Sequence, residues 1–218
     1  MATKASAVWL PQVLIESALI VVSILVALGL DEWRDDRQDE EVIQNALSNF
    51  LIEIQQNRTR VEDAAPFNEG LRQVLRRHYE ANDVETIDEF VNMVESYSAV
   101  GLHSTAWDTA LATGSLSKME YDLVRALSLT YSLQVRYQLA TRSGMNDITS
   151  PQNLSEDKLK LAFYNSIRYL DDIIGMETEL SVIYSEATNV IRDAMVRMEL
   201  DDFTAAPGEP DPQNLAHP

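Results

Sequence analysis

Residues 13–54 read VLIESALIVVSILVALGL, then DEWRDDRQDEE, then VIQNALSNFLIEI, three blocks with three different periodicities. The first block is apolar at nearly every position; its only acid is Glu16, and Ser23 is the only polar residue in 18–28. A helix rises about 1.5 Å per residue and a bilayer hydrocarbon core is about 30 Å thick, so an apolar run of this length is expected to cross a membrane. Pro11 suits a first helical turn, where its missing N–H costs nothing, and Trp9 and Trp33 bracket the run as interfacial aromatics do. Residues 13–30 are therefore expected to form a transmembrane anchor, with Glu16 about one turn inside one boundary and Trp33 at the other. A cleaved signal peptide, with Ala27-Leu28-Gly29 as the cleavage site, is the rival reading; the weakly basic start and the embedded acid count against it.

The second block, 31–41, holds seven acids and two arginines, with Trp33 its only apolar residue. In the third block Ile43, Leu47, Phe50 and Ile54 recur at 4-3-4 spacing, which continues loosely through Asn57 to Val61. That is a coiled-coil-like seam, expected to join copies of the chain as an oligomer seam. On this reading a single stalk helix passes through the acidic neck and ends at Ala64-Ala65-Pro66.

The anchor motif resembles that of a family of uncharacterised bacterial single-pass membrane proteins. The matching residues are Glu16, Leu19 with Ile20, Val21 and Val22, Ser23, then Ile24-Leu25-Val26-Ala27-Leu28, Asp31, Glu32 and Trp33. A second match is the stretch from Thr105 to Gly114, TAWDTALATG, which resembles a Trp-x-x-Leu-x-x-x-Gly element of that family, with Leu111 standing one position later than in that element. Two departures are Lys4, alone where a basic flank is usual, and Ile15 where the family has Gly. The resemblance implies a bacterial inner-membrane protein and carries no activity.

The remainder reads as helix. Residues 67–81 are expected to form a short amphipathic helix with Leu71, Val74, Leu75 and His78 on one side. Thr86-x-x-Glu89 is a capping box before Phe90, Val91 and Val94. Thr105 is expected to cap a short helix closed by Gly114, forming a packed corner around Trp107, and Ser117-x-x-Glu120 to open a helix to about Met145. Ser155 opens a last stretch to about Leu200, with Gly175 as a possible break. The fold class is thus all-α: a short cytoplasmic tail (1–12), the anchor (13–30), a stalk and extracytoplasmic, periplasmic helical bundle (31–203), and a disordered acidic, Pro-rich tail (204–218). The positive-inside rule nearly ties; the short tail and the absence of cysteine favour a cytoplasmic N-terminus.

The formal net charge of −18 argues against nucleic acid, which demands a basic footprint, and leaves membrane lipid, other copies of the chain or a larger membrane complex as the expected partners. Zinc and di-iron patterns fail: there is no cysteine, no His-Glu-x-x-His, and neither His78 nor His103 has an acid three residues before it. Gly-x-Ser-x-Gly and phosphate-binding loops are missing as well, so no catalytic, cofactor or metal residues are expected. Arg72, Arg76 and Arg77 form a basic patch that would suit an acidic neck on a neighbouring copy, although a solvated face is the simpler reading. The functional expectation is a non-enzymatic scaffold or accessory subunit, with Glu16, Ser23 and Trp33 contributing to membrane assembly. Alternatives are an ion-coupled subunit that uses Glu16 as its carrier and a ligand-binding helical bundle.

Overall fold

The computed structural model describes residues 9–83, 86–95, 97 and 99–205, with side chains from Ile15 to Met198. The expected tails, 1–12 and 204–218, lie wholly or largely outside this set, as do the side chains of Trp9, Pro11, Val13 and Leu14. Among the described residues five α-helices follow in order: α1 (Trp9–Ala81), α2 (Ile87–Val94), α3 (Thr105–Thr113), α4 (Tyr121–Ile148) and α5 (Leu159–Ala205). Single 3-10 turns at Ser115–Lys118 and Glu156–Lys158 precede α4 and α5. No strand occurs among the described residues, and the chain is all-α. It divides into two compact units, Met1–Gln44 and Asn45–Pro218.

In the first unit the described side chains belong to one helical segment. Ile15, Leu19, Ile20, Ile24, Leu25 and Leu28 are each more than half exposed, although they point to every side of the helix. Ser23 Oγ donates to Leu19 O at 2.8 Å, so its hydroxyl is satisfied within the helix. Arg37 lies 5.8 Å from the Trp33 ring centre and 3.7 Å from Glu40. Among the described residues no helix is long and apolar enough to cross a membrane.

The second unit is a bundle in which α1, α4 and α5 each bury a line of residues alternating three and four apart. On α1 the line is Leu47, Phe50, Ile54, Asn57, Val61, Asn68, Leu71 and Leu75, with the half-buried Ala64 filling the gap. On α4 it is Leu123, Leu127, Thr130, Gln134, Tyr137 and Thr141. On α5 it runs from Leu159 through Phe163, Ser166, Leu170, Ile173, Glu177, Leu180, Tyr184, Ala187 and Ile191 to Ala194. A seven-residue repeat shared by neighbouring helices is the knobs-into-holes pattern.

Three expectations are corrected here. Leu47, Phe50 and Ile54 are fully buried within the single chain, where Phe50 meets Trp107 and Tyr131 at 6.5 and 6.0 Å, so they offer no seam to another copy; Ile43 is half-buried. Helix α1 does not stop at Pro66, and the expected helix over 67–81 is its continuation. Proline removes one hydrogen bond and clashes with the carbonyl four residues back, at a cost of about 3 kcal/mol. Both Pro66 and Glu62, the residue whose carbonyl loses its donor, face solvent, where water can replace the bond, and the buried line stays in phase on either side. Gly175 likewise does not break α5: it sits on the exposed face, where glycine costs a helix about 1 kcal/mol but leaves the packed line intact.

The shorter elements fix the ends of the bundle. Thr86 and Glu89 form the reciprocal capping box, Glu89 N donating to Thr86 Oγ1 at 3.3 Å and Thr86 N to Glu89 Oε2 at 3.2 Å. The helix so started buries Phe90 and Val94, with the Phe90 ring 4.8 Å from that of Phe163 on α5. Ser104, not Thr105, occupies the N-cap of α3, and its hydroxyl turns to the Asp108 carboxylate at 2.9 Å. Gly114 ends α3 with φ of 73°, the left-handed conformation that favours glycine. Helix α4 starts at Tyr121; Ser117 Oγ instead donates to Gly114 O at 2.7 Å.

Candidate functional site

Chemistry-bearing side chains concentrate inside the second unit, in polar layers crossing the apolar lines. The first lies beneath the α3 corner. Glu53 on α1 is 7% exposed; its carboxylate accepts from the Tyr131 hydroxyl at 2.7 Å and from Ala106 N at 3.0 Å. Ala106 N is one of the N–H groups that a first helical turn leaves without an intrahelical partner, so Glu53 completes α3 from another helix and adds a charge favourable to its dipole. The ring of Tyr131, this carboxylate's partner, stacks with that of Trp107 at 5.4 Å and an interplanar angle of 24°.

The next layer ties an irregular segment to the bundle. Asn57 Oδ1 accepts from His103 N at 2.8 Å and Asn57 Nδ2 donates to His103 O at 2.7 Å, so one side-chain amide satisfies both backbone groups of one residue. Gln134 Nε2 also donates to His103 O (3.1 Å), Gln138 Nε2 to Leu102 O (2.7 Å) and Arg60 to Gly101 O (3.2 Å). The part-buried bonds to Leu102 and His103 remove the cost of leaving peptide groups unpaired, about 1–3 kcal/mol for a fully buried group, whereas the Arg60 bond to Gly101 is exposed. His103 contributes through its backbone.

The third layer centres on Glu177 of α5, 2% exposed. Its Oε1 accepts from Asn68 Nδ2 of α1 at 2.6 Å and from the Tyr137 hydroxyl of α4 at 2.9 Å. Its Oε2 is buried and has no hydrogen-bond partner. Burial pushes the Glu177 carboxyl above the ordinary carboxylate range, against the opposing pull of the Tyr137 and Asn68 hydrogen bonds. Nearby, the Tyr97 and Tyr169 hydroxyls lie 2.6 Å apart and Tyr169 donates to Thr141 O at 3.4 Å. The Tyr169 ring occupies the space a Cβ on Gly144 would need, which is why α4 carries glycine there. Burial holds the hydroxyls of Tyr131, Tyr137, Tyr169 and Tyr184 protonated far above neutrality.

Outside the core several charged groups pair with one another. Arg72 pairs with Glu69 at 2.6 Å and with Asp171 at 2.9 Å, and Arg76 reaches Asp171 at 3.4 Å, so the patch expected to suit a neighbour's acidic neck is engaged largely by α5 of the same chain. His78 Nδ1 lies 2.7 Å from Asp83 Oδ1, beside a cavity of about 190 Å³ that Tyr79, Asn82, Glu156 and Lys160 help to line. No group of three or more potential metal-ligating His, Asp or Glu side chains occurs among the described residues.

Of the residues singled out from sequence, Trp107 and Gly114 share the α3 corner, while Glu16, Ser23 and Trp33 lie in the first unit. Glu53, Asn57, Asn68, Gln134 and Glu177 were not singled out as site residues. Their signal was available: four of the five stand on the three-four line of their helix, where a polar side chain must find a buried partner. No protein-family model matches the chain, and no curated protein or solved structure is significantly similar to it.

Proposed function

We propose that this chain is a membrane-anchored, non-enzymatic accessory subunit: residues 13–30 hold it in a bilayer and the bundle of 45–198 serves as a rigid docking module for a larger membrane complex. One observation carries the reading. From Ile15 to Leu30 the helix presents large apolar side chains on every side, more than half exposed, and a helix apolar all round needs an apolar surrounding. At about 25 cal/mol per Å², leaving such a surface in water is far more costly than placing it in lipid. Glu16 sits near one end of the segment, where a carboxylate can reach the headgroups. The resemblance of the anchor motif to bacterial single-pass proteins supports the same reading, with the N-terminus in the cytoplasm and the bundle in the periplasm.

Because Leu47, Phe50 and Ile54 are interior to one chain, docking falls to the anchor and to the outer faces of the bundle. The test is fractionation of the full-length protein. It should stay with membranes through alkaline carbonate and leave them in mild detergent together with a partner complex. Protease added outside spheroplasts should reach the bundle. Release by carbonate would overturn the anchor; protection of the bundle would reverse the orientation.

A further inference from the structure

We propose that Glu177 is a proton-operated latch: protonated it lets α1, α4 and α5 close around it, and its ionisation loosens the bundle at that level. Asn68 of α1 and Tyr137 of α4 converge on one oxygen of a carboxyl carried by α5, and the other oxygen is buried without a partner. An ionised carboxylate in such a place needs a cation or several donors.

Among the described residues, none of the groups named as its partners or charged neighbours is a cation. Tyr137 faces it from α4, Tyr97 lies on the segment after α2, and Tyr169 is on α5 itself; all three hydroxyls are held neutral chiefly by burial, and proximity to Glu177 opposes their ionisation further. On α1 the polar neighbour is Asn68, an amide. Arg72, one turn further along α1, is engaged by Glu69 and Asp171, and Glu179 of α5 by Arg136. The neutral acid keeps both observed hydrogen bonds to Oε1 and removes the unpaired charge.

The direction of the effect follows from linkage. A carboxyl whose affinity for protons is raised by folding contributes stability that is fully present below its unfolded pKa. That contribution is lost as pH rises through the folded pKa. The latch is therefore closed in acid and opens toward alkaline pH, opposite to a carboxylate held in an ion pair.

The experiment is denaturant unfolding of the full-length chain in mild detergent, at about pH 5 and about pH 8, for the wild type and Glu177→Gln. Glutamine mimics the protonated acid in shape and charge. The expected result is an unfolding constant that rises more between the two pH values in the wild type than in the variant, because only the wild type has a carboxyl to ionise at that level of the bundle. Equal pH dependence in both proteins would overturn the proposal. Should the variant fail to fold, the ¹³C carboxyl resonance of Glu177 in the wild type decides: titration above the other glutamates supports the latch, and titration among them overturns it.

Discussion

One helix, α1, contains two segments built by opposite rules. In 15–30 apolar residues cover every side and all are exposed; in 47–75 one line of them is buried, and only Ile52 and Phe67 among the large ones are exposed. Both segments are helical, so local propensity does not separate them. The difference is in what each meets: the first leaves its apolar side chains exposed, and the second packs them against side chains of α3, α4 and α5. Hydrophobicity alone therefore says little about packing; the period of the pattern and the polar residues inside it say much more.

The sharpest way to break the comparison is to place the same charge in each segment. Phe50→Asp buries an unpaired carboxylate beside Glu53 and should cost about 5 kcal/mol or more, unfolding the bundle in circular dichroism and denaturant titrations. Leu25→Asp should leave the bundle's unfolding midpoint unchanged while reducing retention in membranes; a matching loss of bundle stability would mean that the two segments are not governed separately. Next in size is Pro66→Ala, which restores a donor to the Glu62 carbonyl and should stabilise α1 by up to about 3 kcal/mol, read as a higher melting temperature. No gain would show that the helix already accommodates proline without loss.

Smaller effects distinguish glycines that look alike in sequence. Gly144→Ala drives a methyl into the Tyr169 ring and should cost about 1–3 kcal/mol, with the tyrosine environment changed in near-ultraviolet spectra. Gly175→Ala meets open space on an exposed helical face and should stabilise by about 1 kcal/mol or less. Equal effects at the two positions would contradict the packing of Tyr169 against α4.

Much of this architecture is legible in the sequence. The capping box at Thr86 and Glu89, the glycine stop at 114 and the apolar stripe of α5 are local signals that can be read without tertiary structure. Pro66 misleads because proline is read as a boundary, whereas its cost depends on which face it occupies. The line from Leu47 to Leu75 stays in phase across it, and that continuity was the better signal. The seam misleads for a related reason: a three-four repeat shows that a helix has partners but not whether they belong to the same chain. The polar layers were the least legible, since Glu53 and Glu177 become informative only once the helices that supply Tyr131, Ala106, Asn68 and Tyr137 are known.

The polar layers also determine how the chain can change in length. Apolar lines with a seven-residue repeat would tolerate one helix sliding past another by a whole heptad, about 10 Å, because leucine meets leucine again. Such a slide would leave Glu177 without Asn68, and Asn57 without the His103 backbone. Insertions in α1, α4 or α5 are therefore constrained twice: single residues rotate the buried line outward, and whole heptads keep the line but separate the paired polar groups. Only changes beyond the ends of the layers, or matched heptads in all three helices, escape both constraints.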